Sequence, residues 1–278
     1  MTQAPEIDRH YGRGGLLDRL LAALRDAGKD VEHLSIEDLA PIDELHSRRR
    51  AATVELARLL APARDARVID VGAGLGGPAR YLAHTFGCDV TGIDATAEFV
   101  AVANDLARRT GLASRVRFEH GSALALPFAD RSFDLAWTQN VAMNIADRTT
   151  MYAELYRVLR PGGRLVLQDV AQGPGGDIVY PVVWADAPAI SFVRTPEETR
   201  ALLEGAGFAV LAWEDKSDVA IAEIEAERAR LAAAGGGSRP PLGLQLVIGD
   251  SAGAKMRNGA RNSLERRTLL INALLARG

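Results

Sequence analysis

The chain has 278 residues, enough for one or two domains with a substantial buried core. Apolar residues make up 47% and charged residues 25%, the balance of a globular protein rather than a disordered one. With 33 basic against 36 acidic side chains the formal charge is −3, which argues against a broad nucleic-acid-binding face, and no apolar run reaches the roughly 18 residues of a membrane span.

The start, MTQAPEIDRH, lacks a basic segment followed by an apolar one, so no secretory signal is expected. The single cysteine, Cys88, has no internal disulfide partner and fits a reducing, cytoplasmic compartment. Residues 1–62 read as helical and form the expected N-terminal lid. Leu16, Leu17, Leu20, Leu21 and Leu24 share one apolar face, and Thr53 to Leu60 carry another. A second unit then spans residues 63–278. Within it, strand-like runs at 67–71, 88–93, 115–119, 133–137 and 164–170 alternate with helical spacing at 77–86, 97–109 and 148–159. Pro161-Gly162-Gly163 stops the last of these helices. Residues 171–195 are a loop-rich insertion on the acceptor side. Thr195-Pro196-Glu197-Glu198 starts a helix that ends at Gly205-Ala206-Gly207. FAVLAWE reads as a strand, two further helices are split by GGGSRPP, and 268–276 reads as a closing strand. Seven strands with intervening helices imply an α/β fold: a Rossmann-like, mostly parallel sheet with helices on both faces, plus the helical lid.

Asp70-Val71-Gly72-Ala73-Gly74-Leu75-Gly76-Gly77 joins the first strand to the first helix of this alternation. Its glycines allow a sharp turn and close approach of a ligand, and Gly72, Gly74 and Gly77 match the dinucleotide pattern. Asp94 follows the second strand, where a carboxylate can accept both hydroxyls of a ribose. Charge decides between cofactors. A dinucleotide would set its pyrophosphate against the turn, where Asp70 repels it. S-adenosylmethionine (SAM) has no phosphate and carries a sulfonium and an ammonium, which Asp70 attracts. The three lysines, Lys29, Lys216 and Lys255, none placed four residues after a tyrosine, offer no hydride-transfer site. The chain therefore reads as a SAM binder.

VIDVGAGLGGPARYL, VTGIDAT, GSALALPFADRSFDLAWTQN, LYRVLRPGGRLVLQD and TPEETRALLEGAGF together resemble the class I SAM-dependent methyltransferases, over residues 67–213. GAGLGGPARYL and the leading helices are similar to small-molecule enzymes of the sarcosine/dimethylglycine type. The resemblance implies that Gly72 and Gly74 pass the methionine part of SAM, with Asp94 on the ribose and Ala95 against adenine. Ser122 stands where relatives often place an acid for the adenine amino group, so its hydroxyl or the Ala123 backbone would make that contact. Gln139 would lie near the sulfonium and ammonium, and Arg48 or Arg50 would reach the SAM carboxylate.

Asn140, Val141, Ala142, Met143 and Asn144 follow the fourth strand and are expected to face the transferred methyl group. Some relatives place histidine here. Asparagine orients an acceptor but takes no proton, which tilts the acceptor toward an amine over a hydroxyl or carbon. His46 reads as structural or solvated, with a general-base role as its alternative. Arg48-Arg49-Arg50 reads as a solvated helix face rather than an anion site. Trp184 lines the acceptor pocket or packs the insertion. Trp137 reads as core, Met143 as pocket packing, and Cys88 as the start of a buried strand. No His/Cys/Asp cluster has metal-ligand spacing, and no catalytic residue is assigned. The expected activity is methyl transfer from SAM to a small molecule by in-line displacement, in a monomer or homodimer with no nucleic-acid or membrane partner. A SAM-binding natural-product enzyme that cyclises or rearranges its substrate without methyl transfer is the main alternative. A non-catalytic SAM-binding subunit and a nicotinamide reductase follow behind it.

Overall fold

The computed structural model describes residues 14–233 and 242–278. Three helices lead: α1 (Leu16–Asp26), α2 (Ile36–Asp43) and α3 (Arg49–Leu60). The alternating core follows as β1 (Arg67–Val71), α4 (Gly77–Phe86), β2 (Asp89–Asp94), α5 (Ala97–Arg109), β3 (Val116–His120), β4 (Phe133–Gln139), α6 (Arg148–Val158) and β5 (Leu159–Gln172). Beyond the insertion come α7 (Pro196–Gly205), β6 (Phe208–Asp215), α8 (Ser217–Ala233), α9 (Gln245–Ile248), α10 (Ala252–Leu264) and β7 (Thr268–Arg277).

The strands form one seven-stranded sheet in the order β3-β2-β1-β4-β5-β7-β6. Strands β1 to β5 pair in parallel, and β7 enters antiparallel between β5 and β6. Side chains alternate across β1, so Val68 points into one core and Ile69 and Val71 into the other. On the first face, Leu56, Leu60, Leu82 and Ala103 of α3, α4 and α5 pack with Val68, Val90 and Trp137. On the second, Tyr152, Leu155 and Leu203 of α6 and α7 pack with Ile69, Leu165 and Leu167. Burial on both faces is why Leu135-Ala136-Trp137 of β4 and Leu165-Val166-Leu167 of β5 are unbroken apolar runs. The strand order reverses between β1 and β4, and a crevice opens there beyond the carboxyl ends of the strands.

The leading helices form a third core. Leu20, Leu24, Leu39 and Ile42 pack with Leu75 and with Phe99, Val102 and Leu106 of α5. The ion pair of Asp43 and Arg80, at 2.8 Å and with both side chains buried, ties the end of α2 to α4.

Two expectations need correction. The fifth strand begins at Leu159, not Arg164, and Pro161-Gly162-Gly163 lies inside it. The register jumps from Phe133↔Leu159 to Leu135↔Arg164, so the intervening residues bulge out of the ladder, where proline's missing N–H costs no strand pairing. The C-terminal part holds three described helices rather than two, and GGGSRPP lies outside the described residues. Thr195 does cap α7: its hydroxyl accepts from the Glu198 N–H at 3.2 Å, and its own N–H donates to the Glu198 carboxylate at 3.0 Å. No described helix is long and apolar enough to cross a membrane.

Candidate functional site

The glycine turn folds back on β2: the N–H groups of Gly72 and Ala73 both donate to the Ile93 carbonyl, at 2.8 and 3.1 Å. Gly72 has φ +77°, and a β-carbon there would stand 2.3 Å from the Val141 side chain. Only glycine fits that backbone and that contact. Asp94 closes the turn from the other side. One carboxylate oxygen accepts from the Gly74 N–H at 2.8 Å and the other from the Thr96 N–H at 2.9 Å. Each oxygen keeps a lone pair for a further donor, such as a ribose hydroxyl. Burial raises the Asp94 carboxyl above the usual range, against the pull of these two N–H groups.

A cavity of about 540 Å³ occupies the crevice. It is lined by Arg48, Asp70, Gly72, Gly74, Asp94, Ala95, Ser122, Ala123 and Gln139 of the residues expected at the cofactor, and by Asn140, Val141, Met143, Asn144 and Trp184 of those expected at the acceptor, but not by Ala142. His46 and Arg49 line it too, and Arg50 does not.

Asp70 carries the clearest electrostatic signature. It is buried, its Oδ2 has no hydrogen-bond partner, and its carboxyl is pushed up to about 8 by burial, then by the nearby Asp94 and Glu44 charges. In the free protein it is therefore protonated at neutral pH, while the unfolded chain loses that proton near 3.8. The folded state binds the extra proton between these values, so stability of the free protein falls as pH rises through that window. A cation seated against Asp70 reverses the preference and drives the proton off. SAM binding at pH 7 is thus expected to release close to one proton, read from the dependence of calorimetric enthalpy on buffer ionisation. Asp70→Asn removes that release; a wild-type protein that releases none would separate Asp70 from the bound cation.

Gln139 is held by a buried network that determines its orientation. The Trp137 indole N–H donates to Gln139 Oε1 at 3.2 Å. Gln139 Nε2 then faces His46 Nδ1 at 3.0 Å and Gln168 Oε1 at 3.3 Å. His46 Nε2 lies 2.6 Å from the buried Glu44 carboxylate, which also accepts from the Thr53 hydroxyl at 2.7 Å. With Nε2–H donated to Glu44, the lone pair on Nδ1 accepts from Gln139, and His46 is a structural member of the wall rather than a solvated side chain.

The arginine run is not a solvated face. The Arg48 guanidinium donates to Glu55 at 2.7 Å and to Glu223 at 3.0 and 3.1 Å. Arg50 turns away to Glu44 and lies over the Tyr81 ring, 5.1 Å from its centroid. Ser122 accepts from the Leu124 N–H at 3.2 Å, which leaves its own O–H free to donate. Asn140, in the left-handed region at φ +54°, donates to the Ser47 hydroxyl at 3.1 Å, and its buried Oδ1 has no partner. Trp184 packs the insertion and also lines the cavity: its indole N–H donates to Ser191, and its ring packs with Met143, Val170 and Val182. Sequence reasoning missed Ser47, Glu223 and Lys255, which also line the cavity. They belong to no motif and reach the site only through packing of the N-terminal segment, α8 and α10 around the strand ends.

An α/β sheet with this strand order, a glycine turn and an acid ending β2 defines a Rossmann-like nucleoside-binding protein. The unpartnered Asp70 oxygen and the open lone pairs on Asp94 fit a cationic nucleoside. A methyltransferase-domain family model matches residues 69–167. The chain is 36% identical over 210 residues to Methyltransferase GfsG of Streptomyces halstedii, covering 74% of this chain and 75% of that one. It is 30% identical over 218 residues to the sarcosine/dimethylglycine N-methyltransferase of Halorhodospira halochloris, covering 77% and 76%. Among solved structures, the [4+2]-cyclase SpnF matches with a TM-score of 0.69 at 25% identity, covering 100% of this chain and 97% of that one. The chain belongs to the SAM-dependent methyltransferase family, and SAM is its cofactor. It acts on small molecules.

Proposed function

We propose that the acceptor atom is an amine nitrogen. The carrying observation is Asn140, a residue of the cavity lining whose Oδ1 has no hydrogen-bond partner within the chain. SAM, when bound, supplies a methyl group already activated by its sulfonium. What this chain must add is alignment and exclusion of water rather than covalent chemistry. A carbonyl oxygen accepts a proton in a hydrogen bond but does not remove it. An amine that donates one N–H to Asn140 keeps its lone pair for attack, whereas a hydroxyl held the same way needs a base. His46 lines the cavity, but its Nδ1 is engaged by Gln139. In the same reading Asp94 takes the ribose, Ala95 packs on adenine, and Ser122 and the Ala123 backbone hold the adenine edge. Gly72, Gly74, Asp70 and Gln139 face the methionine part. Arg48 reaches the SAM carboxylate with the guanidinium N–H groups that Glu55 and Glu223 leave over. The leading helices and the 171–195 insertion close over the bound pair as a lid.

The test is transfer from methyl-labelled SAM to matched primary and secondary amines and alcohols, sarcosine included, read by mass spectrometry. Label on nitrogen supports the reading, and label confined to oxygen or carbon overturns it. The match to SpnF over the whole chain favours a second reading, a cyclisation without methyl transfer. Substrate conversion with SAM unconsumed would establish that one.

A further inference from the structure

We propose that the wall of the cavity facing away from the sheet is a chamber for a largely apolar acceptor carrying one anionic group, and that Lys255 takes that group. The inference rests on the methyl-transfer reading only in calling the occupant the acceptor. Lys255 lies on α10, 2% exposed, and lines the cavity. Its ammonium pairs with the Asp186 carboxylate at 2.9 Å, and the Asp186 side chain is 60% exposed. The pair is therefore lopsided: the cation has left water and the anion has not. A buried ammonium needs a charged partner and has three donors to satisfy. A ligand anion arriving from inside the cavity meets a desolvated cation, while the Asp186 it displaces returns to solvent at little cost.

The surroundings define the rest of the ligand. Val183, Trp184, Leu244, Ile248 and Met256 line the same wall, and Leu244, Ile248 and Val183 form one apolar cluster. Of the acids that reach this wall, Glu223 holds Arg48 and Glu227 pairs with Arg230. Lys255 is not needed to fasten the insertion to α10. Asn262 already bonds both the N–H and the carbonyl of Val179, at 2.8 and 3.0 Å, and Asn258 donates to the Pro181 carbonyl at 3.0 Å. A buried cation in an apolar wall, not required for that docking, selects an amphiphile with a carboxylate, sulfonate or phenolate group.

Two fluorescent probes on one aryl-naphthylamine frame test this: 1-anilinonaphthalene-8-sulfonate and the neutral N-phenyl-1-naphthylamine. They are titrated into the full chain saturated with S-adenosylhomocysteine. Wild type is expected to bind the sulfonate at least tenfold more tightly than the neutral probe. Lys255→Met should erase that preference while keeping the neutral probe's affinity. Asp186→Asn, which removes the competing carboxylate, should tighten the sulfonate severalfold. Equal affinities in wild type, a preference that survives Lys255→Met, or weaker sulfonate binding by Asp186→Asn would each overturn the assignment. Calorimetry of S-adenosylhomocysteine on all three proteins separates this from the cofactor reading, whose failure would appear there as lost binding in wild type. If Lys255→Met alone loses S-adenosylhomocysteine through damage to the fold, the Asp186→Asn titration decides.

Discussion

Asp94→Ala is expected to weaken SAM binding by about two to three orders of magnitude, since each hydrogen bond to a charged acceptor contributes roughly 1.5–3 kcal/mol and we propose that two ribose hydroxyls share this one. The loss has a second source within the chain. Asp94 also holds the N–H groups of Gly74 and Thr96, so the alanine variant leaves both ends of the cofactor loop without their acceptor. Asp94→Asn keeps the volume but turns an amide N–H toward one of those donors, and an intermediate loss is expected. Calorimetric titration of SAM reads all three proteins directly, with thermal unfolding of the free proteins as the control for folding. Affinity unchanged in the alanine variant would remove Asp94 from the ribose.

The second large effect concerns the scaffold. Asp43→Ala is expected to destabilise the protein by about 3–5 kcal/mol, because it strands the buried Arg80 guanidinium without its counter-charge. The guanidinium donates to Asp43 at 2.8 Å and to the carbonyls of Leu75 and Ala103 at 2.6 and 3.3 Å, with its side chain fully buried. The melting temperature should fall by about 10 °C for a chain of this size. Adding Arg80→Met should restore much of the loss, since an apolar side chain of similar length needs no partner there. Denaturant titration of the two variants against wild type measures both values. A double variant no more stable than Asp43→Ala would show that the pair matters through its contacts to Leu75 and Ala103, which hold the end of the glycine turn, rather than through its charge.

The cofactor half of the site was legible because its determinants are local. Asp70, Gly72 and Gly74 fall at a strand-to-helix junction, and Asp94 ends the next strand. Once the alternation is recognised, parallel pairing brings those ends together at the switch point between β1 and β4. The same logic located Ser122 and Gln139, which follow β3 and end β4. It did not reach the partners of Gln139. His46 looked solitary because nothing in its neighbourhood foretells that the link between α2 and α3 will lay it against Gln139, with Glu44 behind it.

The sequence by itself determined the fold class, the cofactor and the glycine loop that lines the cavity, through periodicity, glycine placement and the acidic residue two positions before the first glycine. Tertiary structure alone decided which arginines of 48–50 line the cavity, since Arg48, just before α3, goes to Glu223 while Arg50, two residues on, goes to Glu44 and the Tyr81 ring. It also decided the wall we propose for the acceptor. That surface is assembled from the insertion, α8, α9, α10 and the start of β7, segments that carry no shared motif. Their side chains are brought together by long-range packing around the strand ends, and contacts of that kind leave no periodic trace along the chain.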